Sequence, residues 1–197
     1  MAGENPARSV TDRLPAGTRV LVITVSDGVA AGARDDASGA AVAARLAALG
    51  ASVDRAVVAD DLDVIADTVR AGARTHPLVV LTGGTGLTPR DVTPQAVRST
   101  LAYEIPGIGE AMRAAGRAVT PLADLSRGLG GVAGRALVIS LPGSPRGALE
   151  SLGAVEPILA HALETLAGPF DHGRGGASAE SAGGGVAYDR PVTEDAD

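Results

Sequence analysis

The sequence predicts an α/β domain built on a mainly parallel sheet with helices on both faces. Three observations lead there. Short β-branched runs alternate with Ala/Leu-rich segments of helical length, the pattern of right-handed βαβ crossovers. Gly, Pro and Asp punctuate the joints between them. Hydrophobic residues make up 45% of the 197 residues but aromatic ones only 2%, so the core must be Val, Leu, Ile and Ala, which suits helices packed on a parallel sheet.

The elements follow in order. RVLVITVS (Arg19–Ser26) is a short β-branched run and reads as a buried strand. DDASGAAVAARLAALG (Asp35–Gly50) has an acidic start, an apolar body and a terminal Gly, the signature of a helix with a glycine stop. SVDRAVVAD (Ser52–Asp60) is the second strand, and Asp61–Arg74 repeats apolar residues at Leu62, Ile65 and Val69, which is helical spacing. PLVVLT (Pro77–Thr82) is the third strand. Beyond the glycine turn after it, Thr93 is expected to cap a helix that Pro94 opens. GRALVISLPGS (Gly134–Ser144) is a fourth strand with its loop. Ser144–Gly168 is a helix or helix pair, with a break or kink expected at Gly153 and Pro157.

Residues 1–17 are polar with Pro and Gly and read as a flexible lead-in, and residues 18–169 form the compact domain. Residues 170–197, rich in Gly, Ser and acids, cannot bury enough apolar surface to offset their ordering entropy and are expected to be disordered.

Several function classes drop out on composition. With no cysteine, disulfides, zinc–thiolate sites and thiol nucleophiles are excluded. His76, His161 and His172 lack metal spacing and read as surface or loop residues. A net charge of -6 with no Lys/Arg run lacks the footprint of a nucleic-acid binder. No apolar stretch approaches the ~20 residues of a membrane span, and the N-terminal residues lack the apolar core of a secretory signal, so the expected location is the cytoplasm.

In a parallel sheet of this kind ligands bind beyond the carboxyl ends of the strands. Ser26-Asp27-Gly28, Asp60-Asp61, Thr82-Gly83-Gly84-Thr85-Gly86 and Leu141-Pro142-Gly143-Ser144 all fall there. Glycines at a strand end permit positive φ and let amides turn together around an anion, usually phosphate, with Thr82 and Thr85 as further donors; the plain alternative is a tight turn that binds nothing. The stretch is neither a P-loop nor the G-x-G-x-x-G dinucleotide fingerprint, which argues against a dinucleotide oxidoreductase. A carboxylate such as Asp91 beside a phosphate cradle needs an intervening cation, and Mg²⁺ held by one or two carboxylates plus phosphates is the candidate, with Asp60 as the second carboxylate. The alternatives are an Asx-type turn for Asp91 and helix N-capping for one of Asp60 and Asp61. EIPGIGEAMR (Glu104–Arg113) reads as an irregular segment before a helix start, and LSRGLGGVAG (Leu125–Gly134) as a glycine-rich loop, flexible unless Ser126 and Arg127 serve anionic groups.

TGGTGLTPRDVTPQA, EIPGIGEAMR, LSRG and LPGSP occur in that order. Together with VSDGVAAGARDDASG near the start, the set resembles the molybdenum-cofactor biosynthesis family typified by bacterial MogA and MoaB, whose domain also occurs in gephyrin. The resemblance covers Arg19 to Gly168. It implies a three-layer α/β/α sandwich, the molybdopterin-binding (MogA-like) fold, and a homotrimer, with hexamers in some members. For MogA-type members it implies a molybdopterin adenylyltransferase. Such an enzyme transfers AMP from Mg-ATP to the terminal phosphate of molybdopterin, releases pyrophosphate and passes its product to the molybdate-inserting enzyme. The alternative is a MoaB-like molybdopterin-binding or scaffold protein of the same pathway without efficient turnover.

On the same resemblance, Asp60 and Asp91 organise Mg²⁺ and the reacting phosphates. Thr82 and Gly83-Gly84-Thr85-Gly86 would hold pterin or nucleotide phosphate. Ser26, Asp27, Glu104, Ser126, Arg127, Pro142, Gly143 and Ser144 would line the remaining pocket. One departure is Gly28, where the family often has Arg after Ser-Asp; that loop is expected to lose a phosphate-facing cation.

Overall fold

The computed structural model describes residues 13–168. Residues 1–12 and 169–197 lie outside the described residues, and with them most of the expected lead-in, the whole expected tail and His172. The described end of the lead-in packs on the domain. The Leu14 N–H donates to Leu49 O at 2.9 Å, and the Leu14 side chain is buried.

A six-stranded sheet of order β2-β1-β3-β6-β5-β4 organises the chain. Its strands are β1 (Arg19–Val25), β2 (Ser52–Val58), β3 (Leu78–Thr82), β4 (Tyr103–Glu104), β5 (Gly130–Ala133) and β6 (Ala136–Leu141). The pairs β2–β1, β1–β3 and β3–β6 are parallel, whereas β6–β5 and β5–β4 are antiparallel. The sheet is mainly parallel, as expected, with a short antiparallel edge that the sequence reading did not include. The helices are α1 (Asp27–Ala30), α2 (Ala37–Ala48), α3 (Leu62–Ala73), α4 (Thr93–Arg98), α5 (Pro106–Arg117) and α6 (Pro145–Ala167), with a 3-10 turn at Pro121–Leu125.

Alternation along the strands builds three layers. Val20, Val22, Val80, Leu137 and Ile139 face α2, α5 and α6 through Leu46, Ile108, Leu152 and Leu159. Leu21, Ile23, Val79, Leu81 and Val138 face α3 and α4 through Ile65, Val69, Ala96 and Val97. The central strand β3 is buried along its whole length, which is why it reads as an unbroken apolar run. This is the three-layer sandwich that the resemblance implied.

Five local expectations are corrected. Residues 130–133, expected within a loop, form β5, because the backbone is needed between β4 and β6: a Cβ on Gly131 would lie 2.6 Å from Tyr103 O. Pro106, Gly107 and Gly109 are not an irregular lead-in but the first turns of α5, since Pro is favoured at a helix start. Thr93 does not cap α4; it is the first helical residue after Val92, and its side chain makes no cap hydrogen bond. His76 is buried rather than superficial, with Nε2 2.9 Å from Asp54 Oδ2 and Nδ1 2.9 Å from Thr75 Oγ1, so its polar atoms are satisfied inside. The last segment is one continuous helix capped by Ser144, and Pro157 sits on its solvent side, where water can take the carbonyl that the ring leaves unpaired.

Candidate functional site

The parallel register aligns the carboxyl ends of the central strands: Thr24 pairs with Thr82, and Thr82 with Leu141. The loops leaving them therefore meet on one rim. After β3 the chain turns through Gly83 (φ 103°) and Gly84 (φ 61°), a backbone that L side chains rarely adopt. Space demands glycine as well: a Cβ on Gly83 would run into Val25 O, and one on Gly84 into Thr93 Oγ1. Thr82 Oγ1 donates to Pro142 O at 2.7 Å, and Gly83 N–H donates to Leu141 O at 3.2 Å, stitching this turn to the loop after β6. The turn is thus not an open ring of amides. Gly83 spends its own on Leu141 and Gly86 directs one at Asp91.

Asp91 accepts from Thr88 N–H at 2.9 Å and Thr88 Oγ1 at 2.6 Å, both at Oδ2. Burial pulls its carboxyl upward, but the Thr88 hydroxyl and amide, the Gly86 amide and the Arg127 charge outweigh burial and hold it below the usual carboxylate range. The Asx-type turn anticipated before Thr93 does not form: the carboxylate reaches back to Thr88 and on to the Gly86 amide, while Thr93 N–H donates to Gly84 O at 3.1 Å. Arg127 does not reach out for an anion. Its Nε donates to Gly86 O at 2.7 Å, its Nη2 donates to Asp91 O, and its amide donates to Thr85 O at 3.1 Å, so it braces the glycine turn from below.

Asp60 and Asp27 clasp each other. Asp27 N–H donates to Asp60 Oδ2 at 2.9 Å and Asp60 N–H donates to Asp27 Oδ1 at 3.0 Å. The Asp60 amide, then the Arg90 guanidinium on Oδ2, hold the Asp27 carboxyl below its ordinary value. Asp61, not Asp60, caps α3, accepting from Asp63 and Val64 amides at 3.0 Å. Asp60 Oδ1 instead approaches the position that a Gly84 Cβ would take, at 3.2 Å. Thr93 Oγ1 approaches the same position and is buried without a hydrogen-bond partner. An orphaned buried hydroxyl is uncommon and marks this corner as incomplete by itself.

Two depressions meet here. The larger, of about 540 Å³ and walled mainly by apolar surface, runs from Gly84, Thr85, Gly86 and Asp91 past Met112, Arg113 and Ser126 to Pro142, Gly143 and Ser144. Leu87, Leu122 and Leu125, all exposed, form its mouth. The smaller, of about 360 Å³ and mainly polar, is lined by Ser26, Arg34, Asp35, Asp60, Gly83, Gly84, Asp91 and Gly143. Gly84, Asp91 and Gly143 belong to both. Glu104 stands apart: on β4 it is paired with Arg98 (2.9 Å) in a separate depression behind Ser126. Asp27 caps the Asp60 amide beside the smaller depression without lining it.

Arg34, Arg113 and Thr93 were not taken as site residues from the sequence, although Thr93 was expected as a helix cap and Arg34 and Arg113 lie in quoted motifs. Thr93 carried a further signal, its place directly after Asp91 and Val92. Arg34 stands in the space over Gly28. A Cβ there would lie 2.5 Å from Arg34 Nε, and Arg34 Nη2 donates to Ser26 Oγ at 3.3 Å.

Among the described residues, no three or more His, Cys, Asp or Glu side chains are grouped as a metal-binding set, and no helix is long and apolar enough to cross a membrane. A family model described as "Probable molybdopterin binding domain" matches residues 21–161. A molybdenum cofactor biosynthesis bifunctional protein from Synechococcus elongatus is 44% identical over 160 residues, 80% of this chain and 50% of its own length. A molybdopterin adenylyltransferase from Helicobacter pylori is 33% identical over 154 residues, 76% of this chain and 88% of its own. The chain thus spans about half the length of the Synechococcus relative. Among solved structures, MoaB from Thermus thermophilus matches with TM-score 0.70 at 44% identity, covering 76% of this chain and 96% of that one. A MogA structure matches with TM-score 0.72 at 39% identity, covering 75% and 99%. The three-layer fold, the order of the rim loops and these likenesses agree, and the chain belongs to the molybdenum-cofactor biosynthesis family of molybdopterin-binding domains that includes MogA and MoaB.

Proposed function

We propose that the chain is a molybdopterin adenylyltransferase, transferring AMP from Mg-ATP to the terminal phosphate of molybdopterin with release of pyrophosphate. The observation that carries this reading is the pair of depressions sharing Gly84, Asp91 and Gly143. A transfer between two phosphate-bearing substrates needs two adjoining pockets and a common phosphate corner. The apolar cleft suits a pterin ring, and the polar depression suits a nucleotide.

In the reaction an oxygen of the molybdopterin phosphate attacks the α-phosphorus of ATP. The bond from that phosphorus to the β-phosphate bridging oxygen breaks, and pyrophosphate leaves. The attacking phosphate needs no general base, so the protein's part is alignment and charge. The Gly84 and Thr85 amides would hold a phosphate oxygen. Arg127, by bracing Gly86 and Asp91, keeps that turn fixed, and Asp27 orients Asp60. Mg²⁺ fits the donor set: Asp60 Oδ1 and the orphaned Thr93 Oγ1 converge beside Gly84 and Asp91 flanks Gly86, oxygen donors of the kind that hold an ion also bound by waters and substrate phosphates. When bound it would neutralise phosphate charge.

The likeness to MoaB supports a second reading, a pterin-binding protein without efficient turnover. Asp60→Asn and Asp91→Asn separate the two. Under the enzyme reading each keeps its circular-dichroism spectrum and loses turnover by at least ~100-fold, about 2.7 kcal/mol of transition-state stabilisation. Variants that turn over like wild type would remove the carboxylates from the mechanism.

A further inference from the structure

We infer that Arg34 is the residue that binds the polyphosphate of the nucleotide in the smaller depression; this rests on the adenylyltransferase reading and assigns one of its substrates a specific cation. Gly28 leaves the room that the Arg34 guanidinium occupies: a Cβ there would lie 2.5 Å from Nε, 2.8 Å from Nη2 and 3.0 Å from Cζ. The backbone folds so as to hold the side chain over this spot, with Ala33 and Arg34 amides donating to Gly28 O at 2.8 and 3.1 Å. Arg34 Nη2 reaches only a neutral group, Ser26 Oγ at 3.3 Å. That sets it apart from Arg19, Arg55, Arg90, Arg98, Arg117 and Arg146, each paired with a carboxylate.

Two carboxylates at this corner, Asp27 and Asp60, are already engaged. Asp27 is held by Arg90, and Asp60 accepts the Asp27 amide. Among the described residues, Arg34 is the one cationic side chain on the wall of this depression, which also carries Asp35, Asp60 and Asp91. A guanidinium held beside an anion corner and not neutralised by those acids has its fork of donors available for phosphate oxygens. Arg34 and Ser26 line the smaller depression and not the apolar cleft.

The test is calorimetric binding of Mg-ATP, AMP and inorganic pyrophosphate to wild type, Arg34→Ala and Arg34→Lys, with circular dichroism as the fold control. Arg34→Ala is expected to weaken Mg-ATP and pyrophosphate about tenfold or more and AMP far less. Arg34→Lys should recover part of the loss, and in turnover the KM for ATP should rise more than kcat falls. Wild type that binds Mg-ATP alongside an Arg34→Ala variant that binds it equally well would overturn the assignment of Arg34 and leave the adenylyltransferase reading standing. Arg34-dependent binding of pyrophosphate without binding of ATP would keep the anion site and sink the enzyme reading. No binding of either by wild type would sink both.

Discussion

Asp27 shows how a residue beside the corner can be tuned without being buried. Its carboxylate is fixed by the Asp60 amide and by Arg90, and its folded pKa lies below the ordinary 3.8. A depressed carboxyl stabilises the fold above its unfolded pKa and loses that contribution as pH falls through the lower folded value. The stability gap between wild type and Asp27→Asn should therefore be open at neutral pH and close as pH falls below 3.8 and through the lowered folded value; urea midpoints followed down that pH range check it, and a gap independent of pH would contradict it. Asp54, lowered by His76 and then Arg19, keeps the same surroundings in both proteins and cancels from the comparison. At this scale the sequence was informative about type rather than partner. Asp60, Asp91 and the glycines were legible because carboxylates and Gly at strand ends are chemically conspicuous. That Arg127 braces the turn, that Glu104 pairs with Arg98 away from the cleft and that Arg34 fills the space over Gly28 were not, because each depends on contacts between residues distant in the chain or around a turn.

The turn after β3 carries the site as an element. Gly83 has φ 103° and no room for a Cβ beside Val25 O. Gly83→Ala is expected to cost on the order of 1–3 kcal/mol through strain alone, before any effect on phosphate binding. Gly153, inside α6 and with open space around its Cβ position, gives the opposite sign: Gly153→Ala should gain roughly 0.5–1 kcal/mol. Thermal melting of the two variants checks both, and equal melting temperatures would show that the turn is not held as described. Strands β1, β2, β3 and β6 were readable as runs of aliphatic and β-branched residues. Strand β5 was not: two of its four residues are Gly, which carry no alternating side chains, and its conformation is imposed by β4 and β6 on either side. Helix α5 was only half legible, because the glycines that usually signal a loop lie in its first turns, where Gly109 lets the helix approach Gly128 O.

Over the whole molecule, the aliphatic composition and the alternation of elements sufficed for a parallel-sheet sandwich, and that architecture brings four separated loops to one rim. The division of the rim into two depressions joined at Gly84, Asp91 and Gly143 needed coordinates, since it depends on where α5 and the 3-10 turn stand against the loop after β6. The central claim is that these depressions bring two phosphate-bearing substrates together for transfer. The most direct measurement incubates the protein with Mg-ATP and molybdopterin and follows the products by mass spectrometry. The account predicts adenylylated molybdopterin and pyrophosphate in equal amounts, and none of either when molybdopterin is left out. Tight molybdopterin binding with no adenylylated product would contradict it and leave a binding protein.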